Sequence, residues 1–299
     1  MSDAASLDQP KTGTQAGVRN SMRATERLQH FGIHALLVLG AIIVLIPLLW
    51  MLSTSLKTPD QVNKWPPIWI PNPATLENYS RALTIFPVPL WVFLKNSLLM
   101  SLGITFGTVL SNALVAFAFA RLRFPGSRVL FIIVLATMML PGQVTMIPLF
   151  LLFSKIGWVN TYNPLVVPAF FGSAYFTFLL RQYYTTIPRE LDDAARMDGC
   201  STLGLFWRII VPMSKPALGI TAIFAFSWSW NEFLGPLIYL SKLETFPLAL
   251  ALSYLRGTYR VLWSELMVVS FIAMLPPLIL FFIAQRSYIQ GVVITGVKG

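Results

Sequence analysis

Long apolar segments dominate this sequence and restrict its fold more than any other feature. A helix needs about 20 apolar residues to cross the core of a bilayer, and six segments approach that length: 31–52, 91–120, 129–153, 164–180, 217–240 and 265–284. Hydrophobic residues make up 56% of the chain and charged residues only 11%, unlike a soluble domain. The sequence therefore predicts an all-α, polytopic membrane protein with six transmembrane helices in a lipid bilayer.

The two ends of the chain are predicted to lie on the same side of the membrane. Residues 1–30 are polar, carry four basic residues and show no apolar periodicity, so we predict a disordered tail there, followed by a six-span domain over residues 31–299. Fourteen of the 22 Lys and Arg residues lie in this tail and in the loops of the same side. The positive-inside rule then makes both termini cytoplasmic, with residues 285–299 as a second tail.

The most informative polar segment lies between the fourth and fifth predicted spans. Pro188 suits the first position of a helix, Glu190 and Asp193 favour the positive end of the helix dipole, and Gly199 suits a left-handed C-terminal cap. Ser201 can cap a second short helix, and prolines further on restart the chain into span five. The sequence thus predicts a short helix outside the membrane.

One face of this short helix is a candidate docking surface. Leu191, Ala194 or Ala195, and Asp198 recur at helical spacing. Small alanine side chains on such a face let another protein approach closely. The alternative is an amphipathic turn that only faces water, and the spacing alone leaves both possibilities open.

The same segment resembles the signature loop of ABC importer permeases, which follows a Glu-Ala-Ala-x-x-x-Gly pattern. The matching residues are Asp193-Ala194-Ala195, Asp198-Gly199, Phe206, Ile209, Val211-Pro212, Pro216 and Leu218. Asp193 stands where the family usually has Glu, and Cys200 replaces a usual Ala. The register is kept without an insertion.

Two further motifs make the chain similar to the carbohydrate branch of that family, and to the second permease of maltose-type transporters in particular. One is Trp230-Asn231-Glu232-Phe233, in predicted span five. The other is the ending Thr295-Gly296-Val297-Lys298-Gly299. The resemblance covers about residues 31–299 and leaves only the N-terminal tail unmatched.

The resemblance implies a mechanism and a set of partners. Residues 181–216 would form a coupling loop whose helix seats in a cleft of a cytoplasmic ATPase subunit, at the inner membrane of a bacterial cell. Two copies of that ATPase would bind ATP and Mg²⁺, and a second permease (as a heterodimer) and an extracellular solute-binding protein would complete the importer. This chain itself would hold no cofactor or metal and no catalytic residue. The implied coupling residues are Glu190, Asp193, Ala194, Ala195, Asp198, Gly199, Phe206 and Pro212, with Gln290 and Lys298 in a tail that contacts the ATPase.

A candidate substrate path lies in the predicted spans. Glu232 is the one acid placed well inside a predicted span, and a charge in the membrane interior is a candidate functional group. Asn231, Trp228 and Gln143 could offer hydrogen bonds and an aromatic face to a sugar. Alternatively, Glu232 and Asn231 bind the partner permease. The resemblance implies a mono- or oligosaccharide, such as maltose or trehalose, with a glycerol phosphate and other glycosides also open.

Other functions explain less of the sequence. No phosphate-binding Gly-x-x-x-x-Gly-Lys motif is present, so energy has to come from a partner. A membrane enzyme could bind a cation through Asp192, Asp193 and Asp198. On a helix, however, the side chains of the first two point in directions about 100° apart. A secondary transporter usually has internal repeats, and we find none between residues 31–153 and 164–284. The net charge of +10 is explained by basic residues in the short loops of a membrane protein and does not indicate nucleic-acid binding.

Overall fold

The computed structural model describes the backbone of residues 13–256 and 261–296 and the side chains of residues 29–256 and 261–284. Over these residues the regular structure is entirely helical, which confirms the predicted all-α class. In chain order the helices are α1 (Gly13–Ser55), α2 (Pro59–Val62), α3 (Glu77–Thr84), α4 (Leu90–Arg121), α5 (Ser127–Ala136), α6 (Gly142–Lys155), α7 (Asn163–Val166), α8 (Ala174–Thr186), α9 (Glu190–Met197), α10 (Thr202–Leu205), α11 (Val211–Met213), α12 (Lys215–Trp230), α13 (Leu234–Tyr239), α14 (Leu248–Tyr254) and α15 (Trp263–Gly296).

Shorter turns extend or connect several of these helices. Three are 3₁₀ helices, at Thr137–Met139, Val167–Phe171 and Leu243–Thr245, and one is a π-helical turn at Phe206–Ile210. The π-helical turn joins α10 to α11, so that Thr202–Met213 is helical throughout.

The structure provides up to six candidate membrane spans in its described part. Four helical segments are long and apolar enough: Gln29–Ser55, Leu90–Arg121, Asn163–Thr186 and Trp263–Ala284. Two pairs of helices pass the same test together, each bent at a short break: Ser127–Met139 with Gly142–Lys155, by 97°, and Thr202–Met213 with Lys215–Trp230, by 79°. The predicted number of six is reached when each bent pair counts as one span.

The break in the third span lies where the sequence places a Pro-Gly pair. Leu140 is extended, with ψ of 116°, because a residue before proline avoids the α conformation. Pro141 is also extended, and α6 begins at Gly142. The helix therefore cannot continue through this point, and its two halves run in very different directions.

The single span predicted over residues 217–240 is wrong in its second half. Helix α12 ends at Trp230, and α13 begins only at Leu234. Both the backbone amide (3.3 Å) and the side-chain amide (2.8 Å) of Asn231 donate hydrogen bonds to the Ser227 carbonyl in the last turn of α12. The polar residues of the Trp230-Asn231-Glu232-Phe233 motif thus lie where one helix ends and before the next begins.

Both predicted tails are helical where the structure describes them, which corrects the disorder predicted for the N-terminal one. Helix α1 begins at Gly13, so the part of the tail from residue 13 to 30 is helical and not disordered. This stretch contains no proline and is rich in good helix formers such as Ala, Arg, Glu and Met. It also adjoins an apolar helix, which it extends without a new nucleation step. Helix α15 likewise continues to Gly296, through most of the predicted tail 285–299.

The chain divides into two units, Met1–Ser53 and Thr54–Gly299. In the first unit, the large apolar side chains between Phe31 and Leu52 are exposed, as expected of a span that faces lipid or another subunit. In the second unit, α4 is central and packs against α8, α12 and α14. One apolar cluster surrounds its first half and includes Phe93, Phe226 and Leu248.

A second apolar cluster surrounds the end of α4 and connects it to the coupling loop. Ala116 and Phe117 of α4 pack there with Tyr184 of α8 and with Leu205 and Phe206 of the loop. Helix α4 therefore contributes to both clusters and packs directly against the coupling loop.

Buried Asn112 of α4 fixes the start of α8. Its Oδ1 accepts hydrogen bonds from the Ser173 amide (2.8 Å) and the Thr177 hydroxyl (2.9 Å), and its Nδ2 donates to the Thr108 carbonyl (2.7 Å). The Ser173 hydroxyl in turn accepts from the Phe176 amide and caps α8. Since α8 leads directly into the coupling loop, Asn112 helps to set the position of that loop.

Replacing Asn112 with leucine is expected to lower the thermal stability of the purified protein. The change leaves the Ser173 amide and the buried Thr177 hydroxyl without their acceptor, and a buried polar group without a partner costs about 1–3 kcal/mol. Thermal unfolding in mild detergent measures the effect. Asn163→Leu is the matched control, because Asn163 is exposed; equal melting temperatures for the two variants would contradict this role of Asn112.

Candidate coupling site

The predicted helix in the coupling loop is present as α9. It begins at Glu190, two residues after Pro188, and not at Pro188 itself. The Arg189 carbonyl accepts hydrogen bonds from the Asp192 and Asp193 amides (2.9 and 3.1 Å) and closes the first turn. Three acidic residues occupy that turn, where they favour the positive end of the dipole.

The C-terminal end of α9 has the cap that the sequence predicts. Gly199 has φ of +76°, its amide donates to the Arg196 carbonyl (3.0 Å), and the Cys200 amide donates to the Ala195 carbonyl (2.9 Å). These two bonds form a Schellman motif. A Cβ added at Gly199 would meet no atom within 4 Å, so glycine is favoured here by the backbone conformation alone.

The second helix of the loop is also capped as predicted but ends differently. The Ser201 hydroxyl accepts a hydrogen bond from the Gly204 amide (3.1 Å). Pro212, expected to restart the chain into span five, lies inside the continuous helix Thr202–Met213, and the bend comes at Ser214 instead. The π-helical turn just before Pro212 changes the bonding pattern where proline has no amide to donate.

Helix α9 has two different faces. Glu190, Asp193, Ala194 and Asp198 are exposed, whereas Asp192 and Ala195 are buried. Of the two alanines that the spacing left open, Ala194 is therefore on the outer face and Ala195 on the inner one. Ala194 is thus the alanine of the predicted face that can offer a surface to a partner, while Ala195 is covered by the chain itself.

Two predicted coupling residues are part of the chain's own interior. Ala195 and Phe206 both belong to the cluster at the end of α4 and are at most 7% exposed. Pro212, by contrast, is exposed. Ala195 and Phe206 thus hold the loop against the helices, because apolar packing fixes their side chains there.

A buried ion pair fixes the inner face of α9 to the end of α4. Arg121 Nη1 lies 3.4 Å from Asp192 Oδ2, with side-chain exposures of 1% and 7%. Arg121 Nη2 also donates to the Ile187 carbonyl (2.8 Å), and Arg189 Nη2 donates to the Ala120 carbonyl (3.2 Å). Sequence reasoning missed this pair. The available signal was an arginine at the end of a predicted span together with an extra acid beside the signature motif.

The predicted substrate-path residues lie in or near helix breaks. Trp228 is 57% exposed, and its ring centroid lies 5.4 Å from that of Tyr175 and 5.3 Å from that of Phe176. Gln143 is exposed in the first turn of α6, after the break in span three. In the part of the chain that the structure describes, no hydrogen bond joins Gln143 to Trp228 or to the polar residues after it.

The prediction that Glu232 lies well inside a span is wrong. It lies in the break between α12 and α13. It is exposed, and its Oε1 accepts a hydrogen bond from the Gly235 amide (2.8 Å). Its carboxylate therefore satisfies an amide in the first turn of α13 and has a structural partner within the chain. Of the predicted tail residues, Gln290 lies in α15, while its side chain and the whole of Lys298 are outside the described residues.

The fold and this loop together define a class of protein. The chain has apolar helices able to span a membrane, and two of these spans are broken. It also has a short exposed helix, α9, whose buried face is fixed to the central helix α4. Broken helices at membrane depth are typical of membrane transport proteins.

The chain belongs to the family of binding-protein-dependent transport system inner membrane components, whose model matches residues 103–294. It is therefore a multi-pass inner-membrane protein and a permease subunit of an ABC importer, as the resemblance implied. Permease subunits of this class move a solute and are not themselves enzymes.

Several relatives match most of the chain. A probable ABC transporter permease of Pyrococcus horikoshii is 34% identical over 83% of this chain and 91% of its own length. The arabinooligosaccharides transport system permease protein AraQ of Bacillus subtilis is 39% identical over 70% of this chain and 73% of its own. The sn-glycerol-3-phosphate transport system permease protein UgpE of Escherichia coli is 30% identical, with 87% and 94% covered.

A solved structure supports the fold. The chain superposes with a TM-score of 0.76 on a chain from the crystal structure of a bacterial ABC transporter involved in the import of the acidic polysaccharide alginate. The match covers 88% of this chain and 97% of that chain, at 22% sequence identity. The helical architecture is therefore shared with an importer subunit.

Proposed function

We propose that this permease subunit imports a sugar and that helix α9 couples its movement to ATP hydrolysis in a partner subunit. The observation that carries the coupling role is the division of α9 into an inner face fixed to α4 and an exposed outer face. The outer face presents Glu190, Ala194 and Asp198, with Met197 88% exposed beside them. A helix held on one side and free on the other is suited to receive a partner and pass its movement inward.

The proposed assembly contains two ATPase subunits, which bind ATP and Mg²⁺, and a second permease that forms a heterodimer with this chain. Exposed Gly199 directly follows α9, and exposed Pro212 lies further along the coupling loop; both are assigned to the ATPase contact in this proposal. Both termini of this chain are cytoplasmic in this arrangement, and Gln290 and Lys298 are assigned to the contact with the ATPase. A solute-binding protein delivers the sugar on the opposite side.

The proposed solute is a mono- or oligosaccharide. Relatives at 34–39% identity are named for arabinooligosaccharides and a more distant one at 30% for glycerol phosphate. The exposed Trp228 ring, held by Tyr175 and Phe176, forms an aromatic surface. Sugar rings stack on aromatic faces through their C–H groups, whereas glycerol phosphate would call for a cation as well. Asn231, one turn further along the chain, offers an amide for hydrogen bonds to hydroxyl groups.

Replacing Trp228 with alanine is expected to raise the KM for sugar uptake by about tenfold, which corresponds to about 1.4 kcal/mol of lost binding. Uptake of a panel of labelled oligosaccharides and glycerol phosphate into cells that carry this chain as their only copy provides the measurement. Phe282→Ala, which removes an exposed ring of α15, is the matched control. Uptake of glycerol phosphate alone would replace the sugar proposal, and equal KM values for both variants would remove Trp228 from the path.

A further inference from the structure

Arg121 and Asp192 occupy an unusual place for charged residues. Arg121 is the last residue of α4, and Asp192 lies on the inner face of α9, where both side chains are almost completely buried. The cluster around them is apolar and includes Ala120, Ile187 and Ala195. The pair is therefore shielded from water on the sides that this chain provides.

The pair is poorly optimised for stability. Its closest approach is one contact of 3.4 Å, and Arg121 Nε and Asp192 Oδ1 are buried without a hydrogen-bond partner among the described residues. A buried ion pair contributes little compared with apolar side chains of similar volume, and unsatisfied atoms reduce that contribution further. Stability alone does not account for two charges at this position.

A buried ion pair does, however, resist separation. Pulling the two groups apart without water leaves each charge uncompensated, which is strongly unfavourable. Arg121 also donates to the carbonyl of Ile187, the residue that follows α8, so the guanidinium contacts both the end of α8 and helix α9. The contact can therefore transmit a pull as well as a push.

We propose that the Arg121–Asp192 pair is the link through which α9 moves α4, and that both are positioning residues for energy coupling. This inference rests on the proposed coupling role of α9. When the ATPase draws α9 away from the membrane, the ion pair makes the end of α4 follow. Apolar contacts of Ala195 and Phe206 keep the helices aligned, and the ion pair keeps them from separating.

The test compares the complete transporter carrying Asp192→Asn or Arg121→Gln with the wild type in proteoliposomes. The ATPase must first copurify with the wild-type chain, and its absence would overturn the proposed function and this inference with it. We then expect both variants to retain the ATPase and its hydrolysis, while the amount of solute moved per ATP hydrolysed falls at least about tenfold. Arg128→Gln is the control, since it removes an exposed charge from the same region.

Unchanged transport per ATP in both variants would overturn the link. A variant that loses the ATPase or fails to fold is followed by the double exchange Arg121→Asp with Asp192→Arg, which restores opposite charges in reverse order. Recovery of transport per ATP in the exchanged protein supports the link. An exchanged protein that assembles but transports no better than the single variants, or one that does not assemble, assigns the pair a structural role and overturns the proposal.

Discussion

A valine at Gly199 is expected to lower both solute uptake and solute-stimulated ATP hydrolysis by about tenfold or more, while the chain still inserts into the membrane. Gly199 has φ of +76°, a conformation that costs a side chain with a Cβ about 1–2 kcal/mol. Each 1.4 kcal/mol corresponds to about a tenfold change in population. The Schellman cap of α9 therefore opens in the variant, and the helix loses its defined end.

Gly157 provides a closely matched control for this experiment. Its φ is +73°, and a Cβ there would likewise meet no atom within 4 Å. Gly157→Val imposes the same backbone strain outside the coupling loop and is expected to leave solute uptake and solute-stimulated ATP hydrolysis unchanged. Asparagine tolerates this conformation better, so Gly199→Asn should retain more activity than Gly199→Val. Equal uptake in the two valine variants would show that the cap at Gly199 has no part in coupling.

A tryptophan at Ala194 is expected to reduce the amount of ATPase recovered with the tagged permease by about tenfold or more. Ala194 is exposed on the outer face of α9, so the chain itself can accommodate the indole. A partner that packs closely against this alanine cannot, since overpacking typically costs about 1–3 kcal/mol. Quantitative copurification from the membrane measures the loss.

Two further variants show whether a loss of ATPase recovery in this second experiment comes from lost docking or from misfolding of the permease. Gln182→Trp places an equally large ring at an exposed position of α8 and should leave ATPase recovery unchanged. Ala195→Trp overpacks the buried cluster and should lower the thermal stability of the permease as well. If Ala194→Trp kept the full amount of ATPase, the outer face of α9 would not be the docking surface.

Local features were the ones that the sequence predicted well. The ends of α9 depend on Glu190 and Gly199, and the start of α10 depends on Ser201; each acts on backbone groups within a few residues. The break in span three follows from Pro141 and its effect on the preceding residue. Such signals lie within one turn of the chain, so their physical effect does not depend on the rest of the fold.

Features that depend on packing between distant segments were not predictable in this way. Helical spacing allows either Ala194 or Ala195 on the docking face, and only the position of α4 decides between them. The Arg121–Asp192 pair joins two elements that are far apart in sequence, and a charge count assigns Arg121 to a basic loop. The break after Trp230 was missed because hydropathy stays high on both sides of it, while Asn231 and Glu232 cap the two helices.

The central claim is that α9 connects this permease to an ATPase. Affinity purification of the tagged chain from its native membrane in mild detergent, with mass spectrometry and an ATPase assay of the eluate, tests it most directly. We expect a second permease and an ATPase subunit to be recovered, with hydrolysis stimulated by a sugar-loaded binding protein. A chain that elutes alone and without ATPase activity would contradict the claim.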